Sequence, residues 1–278
     1  MLTPGLPELR VVPVDALHPH ERVDPRRLEP LVRAIREEAV LRNPPVVLPL
    51  VKGKSYAVLD GATRTGAFRR LGLPYILVQV VSPGREFVQL KTWNHVITGC
   101  SLQSLLEELR HISGLCFLTD HAAVGSLPRS PVEHLALLVA PGDTALKIVV
   151  EARDLEEHAM ALDKLVRACC RIGFLERSEQ FSLDRLLIEY PGLTAVLNYA
   201  PLQVGQILEM VRREMQLPPG LTRFIISPRA LRLNYPIARL AAGGLLEEKQ
   251  LEVESWLQVR VGERDVRYYA ESTWLFEE

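Results

Sequence analysis

Apolar positions along the chain alternate between two periods. Leu28, Leu31, Val32 and Ile35 recur at helical spacing, and Asp24-Pro25 just ahead supplies an N-cap and a first-turn proline. Short β-prone apolar runs follow at 46–50, 56–59 and 75–81. Between the last two, Ala67, Phe68 and Leu71 share one helical face, with Gly72 at the C′ position. Further on, Leu102, Leu105, Leu106 and Leu109 predict a helix over 101–113, with His111 near its end. Two apolar strands, 135–140 and 145–151, flank Pro141-Gly142-Asp143-Thr144 and predict a hairpin. Asp154 caps a helix running through Arg171 to a stop at Gly173, and helices follow at 182–189 and 202–215. Pro218-Pro219-Gly220 ends the last of these. At the C-terminus, 255–261 and 266–270 flank Gly262-Glu263-Arg264-Asp265 and read as a second hairpin. The pattern predicts a mixed α/β (α+β) protein divided near residue 98, with domains 1–98 and 99–278.

The strand at 56–59 runs into Asp60-Gly61-Ala62-Thr63-Arg64. Asp60-Gly61 breaks the strand, and Gly61 permits a backbone conformation other residues resist. A helix starting at Ala62 points unpartnered N–H groups and a partial positive charge at this turn, which makes it an anion site. Arg64 adds a guanidinium suited to phosphate oxygens, and Asp60 can hold Mg²⁺ or orient a nucleophile.

Composition narrows the classes. At 278 residues, with 47% hydrophobic and 24% charged, the chain can bury a sizeable core. A net charge of −1 gives no global basic field for nucleic acid. No apolar run reaches membrane-spanning length, and the N-terminus lacks the pattern of a signal peptide. Cys100, Cys116, Cys169 and Cys170 have no zinc-like spacing, so a reducing cytoplasm is the expected setting.

The 56–72 stretch resembles the central motif of the ParB/sulfiredoxin superfamily, and within it the ParB-like free L-serine kinases. Three further segments carry the likeness in matching order. His18-Pro19-His20-Glu21 precedes the first helix and matches a His-Glu pair. Arg42-Asn43-Pro44 matches a Lys-Asn-Pro segment with Arg for Lys. Thr222-Arg223-Phe224 and Arg229-Ala230-Leu231-Arg232-Leu233-Asn234-Tyr235-Pro236 match an Ile-Thr-Arg-His … Arg-x-Leu-x-x-Asn-x-Pro block. Phe224 stands where these kinases commonly carry His.

The resemblance implies a ParB/sulfiredoxin-like nucleotide-binding core over 1–98 and a substrate-completing α/β domain over 99–278. It implies phosphoryl transfer from ATP or ADP, with Mg²⁺, to free L-serine. The product, O-phospho-L-serine, would supply siderophore or related amino-acid precursors. Glu21 is then the catalytic base, because a serine hydroxyl is a poor nucleophile until its proton has an acceptor. Asp60 serves Mg²⁺ or the hydroxyl, and Gly61, Ala62, Thr63 and Arg64 hold phosphates. Arg42 is either a phosphate contact or a solvated cation, and Trp93 either stacks on the base or lies in the core. Thr222, Arg223, Arg229, Arg232 and Asn234 hold the serine and balance its charge.

The rival readings are a nucleotide-binding, DNA-associated ParB-like regulator and a nucleotide- or haem-responsive sensor without catalysis, with His111, Cys116 or His121 as haem ligands. The kinase reading expects no membrane and no specific nucleic acid, and it leaves a homodimer open. Sulfiredoxin chemistry is not expected, since the turn Gly61-Ala62-Thr63-Arg64 has no cysteine.

Overall fold

The computed structural model describes residues 6–51, 54–82, 87–119, 133–142 and 144–268. The chain opens with β1 (Glu8–Pro13) and β2 (Leu17–Pro19), then α1 (Pro25–Glu38). This helix starts where expected: the Asp24 side chain accepts the Arg26 N–H at 3.0 Å. The short β3 (Val40–Leu41) leads to β4 (Val46–Val51) and β5 (Ser55–Asp60). Next come α2 (Ala62–Arg70) and β6 (Tyr75–Val80), joined through Gly72 at φ +66°. Five strands form one sheet in the order β1-β6-β4-β5-β2. Within it β2 runs parallel to β5, pairing Leu17 with Tyr56 and Pro19 with Val58.

β7 (Phe87–Thr92) precedes a second sheet that begins with β8 (Asn94–Thr98). α3 (Leu102–Arg110), β9 (Leu115–Thr119), β10 (Glu133–Ala140) and β11 (Thr144–Val150) follow. Then come α4 (Leu155–Ile172), β12 (Phe174–Ser178), α5 (Leu183–Glu189), β13 (Leu193–Tyr199) and α6 (Val204–Arg212). The six-stranded sheet runs β12-β8-β13-β10-β11-β9. β10 and β11 are the expected hairpin, in antiparallel register. Asp154 caps α4 by accepting the Glu156 and Glu157 N–H groups at 3.0 and 2.9 Å. Leu162, Leu165, Ala168 and Cys169 of this helix join a core with Ile97, Leu105, Leu135 and Leu197.

β14 (Thr222–Ser227) pairs with the distant β7, Thr222 opposite Thr92. β15 (Tyr235–Pro236) pairs with β3, Tyr235 opposite Leu41. α7 (Ile237–Ala241) and α8 (Leu246–Gly262) close the described chain. The C-terminal hairpin expected at 255–261 and 266–270 is not formed. Residues 246–262 are helical, and 269–270 lie outside the described residues. Leu246, Val253, Trp256 and Leu257 share a helical face and pack in the core of the five-stranded sheet, the first core, beside Val11, Tyr56, Val58 and Phe68. The Gln250 side chain ties α8 to β1, accepting the Val11 N–H at 3.0 Å. Packing against β1 thus decides a segment whose apolar residues also alternate. The fold is the mixed α/β arrangement expected, and residues 235–257 return to the N-terminal core.

Candidate active site

Because β2 and β5 are parallel neighbours, their C-terminal ends open on the same edge. One delivers His20 and Glu21, the other Asp60 and Gly61. β14 and the segment before it close over this edge. The result is a cleft of about 1150 Å³ lined by residues from both ends of the chain.

Glu21 is held closely. Its backbone bridges to Leu217, with Arg22 N–H on Leu217 O at 3.0 Å and Leu217 N–H on His20 O at 2.8 Å. Its Oε2 accepts the Gly220 N–H at 2.8 Å. Its Oε1 accepts the Thr222 N–H at 2.6 Å and the Thr222 hydroxyl at 2.5 Å. His20 is buried beside it, with Nδ1 at 2.7 Å from Val58 O and Nε2 at 2.6 Å from Thr222 Oγ1. Gly220, at φ +77°, is pinned on its carbonyl side by His95 Nε2 at 2.9 Å. Burial holds the His95 imidazole below its ordinary value, so the ring is neutral near pH 7. Nε2 therefore carries the hydrogen, and Nδ1 accepts from the Tyr199 hydroxyl at 2.8 Å.

Across the cleft, Asp60 Oδ2 accepts from Arg64 at 2.7 Å and also from Arg229. Burial pushes the Asp60 carboxyl up, but Arg64 and Arg229 outweigh this and hold it below its ordinary value. Burial draws the Arg64 guanidinium down, with Asp60 opposing. Arg64 also donates to Asn43 O at 2.9 Å, which closes the turn. Gly61 is left-handed at φ +101°, and a Cβ there would stand 2.9 Å from Pro45 Cβ, so the tight turn demands glycine. Gly61, Ala62, Thr63 and Arg64 line the cleft at the start of α2, where first-turn N–H groups have no helical partner.

Trp93 lies at the junction of β7 and β8, its backbone N–H donating to Leu221 O at 2.9 Å. The Arg223 and Arg177 guanidinium carbons stand 5.0 and 5.6 Å from the centre of its ring. Arg223 also pairs with Glu179 at 2.5 Å.

The cleft brings together Glu21, Asp60, Gly61, Ala62, Thr63, Arg64, Trp93, Thr222, Arg223 and Arg229. Arg42, Arg232 and Asn234 are not among its lining residues. Arg42 donates twice to Glu38, at 2.7 and 2.9 Å, and the Arg232 backbone N–H donates to Asn43 Oδ1 at 2.8 Å. Asn234 sits left-handed at φ +52° in the same loop. The lining also includes residues to which the sequence reading gave no role, among them Asn43, His95 and Arg177. Asn43 and His95 adjoin singled-out residues, which was a usable signal. Arg177 is an exposed position of β12, and nothing in its neighbourhood marks it.

Asp60 fits a magnesium ion: Oδ2 takes both arginines, while Oδ1 makes no hydrogen bond to the described residues. One carboxylate oxygen plus substrate phosphates is an ordinary Mg²⁺ shell. Among the described residues, no cluster of three His, Cys, Asp or Glu side chains is placed to hold a metal. Of the residues named as haem ligands, His111 contacts Glu107 O at 2.7 Å, Cys116 lies half-buried in β9, and His121 is outside the described residues.

No protein-family model matches the chain. It is similar to the ATP-dependent L-serine kinase SbnI of Staphylococcus aureus, at 28% identity over 97% of both chains. An ATP-dependent L-serine kinase of Staphylothermus marinus is 38% identical over 36% of this chain and 39% of that protein. The solved structure of C-terminally truncated SbnI superimposes with a TM-score of 0.68 at 26% identity, covering 92% of this chain and 97% of that one. A free serine kinase in complex with AMP superimposes with a TM-score of 0.67 at 18% identity over 85% and 95%, a likeness of fold.

Proposed function

We propose that this chain is a nucleotide-dependent kinase of free L-serine, of the same family as the kinases it resembles. The observation that carries the reading is the convergence of Glu21, the Asp60–Arg64 turn and the 222–229 arginines on one cleft, although some 200 residues separate the ends of that set. Full-length similarity to an enzyme named for this activity supports it.

In the reaction the serine hydroxyl oxygen bonds to the terminal phosphorus of the nucleotide, and the bond from that phosphorus to the bridging oxygen breaks. The hydroxyl proton passes to Glu21 and then to solvent, leaving O-phospho-L-serine and the shortened nucleotide. The turn Gly61–Arg64 holds the phosphates through its amides and Arg64. When bound, Mg²⁺ on Asp60 neutralises polyphosphate charge. Arg223 and Arg229 balance the serine carboxylate and the transferred group, and Trp93 borders the base. Residues 1–98 supply the nucleotide-binding turn, and 99–278 complete the substrate site. The setting is a reducing cytoplasm, in keeping with four free cysteines. ATP is the donor in this reading, and supply of a siderophore-type precursor is its metabolic counterpart. The test incubates the full chain with Mg²⁺, L-serine and either ATP or ADP and follows phosphorus NMR. A phosphoserine signal that requires serine and nucleotide is expected; its absence with both donors overturns the reading.

A further inference from the structure

We propose that His20, acting through the Thr222 hydroxyl, is the positioning residue for Glu21, and that His20 carries hydrogen on both ring nitrogens. The role in turnover rests on the kinase reading; the hydrogen placement does not.

A backbone carbonyl only accepts, so His20 Nδ1, 2.7 Å from Val58 O, donates. Nε2 lies 2.6 Å from Thr222 Oγ1, and that oxygen lies 2.5 Å from Glu21 Oε1. A threonine hydroxyl has one hydrogen. With a bare Nε2, that hydrogen serves either His20 or Glu21, and the other contact sets two lone pairs against each other. His20 and Thr222 are 3% and 8% exposed, so water has little access to relieve the clash. A hydrogen on Glu21 would also fill the chain. However, Oε1 already accepts the Thr222 N–H and Oε2 the Gly220 N–H, a donor set matched to a carboxylate. The consistent arrangement is Nε2–H to Oγ1, then Oγ1–H to Oε1.

The surroundings suit a held ion pair. Glu21 Oε1 is 4.0 Å from His20 Nε2, and the Phe224 ring meets the imidazole edge-on at 5.4 Å. Facing Glu21 from other elements are Arg177 on β12 and the neutral His95 on β8. Held from both sides, the Glu21 carboxylate keeps one orientation toward the cleft. A base so placed loses turnover, not nucleotide affinity, when the link is cut.

The test joins a spectrum to kinetics. Nitrogen-15 NMR of the imidazoles in the full chain near neutral pH, with the His20 signals assigned by their loss in His20→Gln, is expected to show hydrogen on both ring nitrogens. Thr222→Val is expected to lower kcat roughly 10–100-fold with calorimetric AMP affinity unchanged. Thr222→Ser, which keeps the hydroxyl, restores most of kcat. His20→Gln, whose amide can still donate to Thr222, loses less than His20→Ala. A His20 spectrum with a bare Nε2, or Thr222→Val turning over like the wild type, overturns the proposal. If the valine variant does not fold, the wild-type spectrum decides by itself. A wild type that makes no phosphoserine sinks the kinase reading, while the spectrum still decides where the hydrogen sits.

Discussion

At the scale of single residues, Glu21 and Asp60 differ in how they are held, and their variants separate accordingly. Glu21→Gln keeps one acceptor oxygen, enough for the Thr222 donors, while its NH2 faces the Gly220 N–H and the proposed base is lost. Turnover is expected to drop roughly 10²–10⁴-fold with nucleotide affinity retained, as measured by phosphoserine formation beside calorimetry. Asp60 gives a pH prediction. Its folded carboxyl lies below the ordinary 3.8 because Arg64 and Arg229 outweigh burial. A carboxyl lowered on folding contributes stability above its unfolded value and loses it as pH falls through the folded value. Thermal unfolding followed from neutral pH down to about 3 should therefore show a steeper acid loss in the wild type than in Asp60→Asn. Equal slopes would mean the two arginines do not stabilise the charged form.

At the scale of elements, two joints carry the site and the core. The β5–α2 turn depends on Gly61, whose φ of +101° and 2.9 Å approach to Pro45 leave no room for a methyl group. Gly61→Ala should cost roughly 1–3 kcal/mol in urea unfolding, and it should weaken AMP binding because the first-turn amides move with the turn. Full stability with full affinity in the alanine variant would show that the turn tolerates the side chain. The α8–β1 joint is the second. Val253 is fully buried in the first core, and Val253→Ala should cost on the order of 2 kcal/mol through lost burial and the cavity left behind. An unchanged denaturation midpoint would mean that α8 is not packed as described.

At the scale of the whole molecule, charge is arranged locally. The net charge is −1, yet Arg22, Arg64, Arg177, Arg223 and Arg229 all line the cleft, with Asp60 and Glu21 among them. These arginines favour an anion of nucleotide size there, while a net charge of −1 gives no overall basic field to draw a duplex. Binding to duplex DNA across a salt series should therefore be weak and unselective, whereas AMP should raise the melting temperature through mass action. Selective, tight duplex binding without a thermal shift by AMP would reverse the assignment.

The sequence by itself determined whatever is settled within a few neighbours. Asp24 and Asp154 cap their helices, Gly72 ends α2, the 135–151 hairpin forms, and the Asp60-Gly61 turn opens a helix N-terminus. These follow from local hydrogen bonding and backbone sterics. Glu21 and the 222–229 arginines were legible as candidates through motif order. Their meeting was decided by tertiary structure, through the parallel β2–β5 pairing and the β14–β7 pairing across more than a hundred residues. Other long-range pairings placed the rest: Arg42, Arg232 and Asn234 flank the β15–β3 pair, off the cleft wall, and the β12–β8 pair brings Arg177 onto it. Tertiary packing also made residues 246–262 a helix, because an apolar run that alternates and an apolar stripe every three or four residues can be the same residues. Only the surface they pack against, here β1, selects one period. The hydrogen bonds from Gly220 and Thr222 to Glu21 depend in the same way on two segments some 200 residues apart, so no local pattern could reveal them.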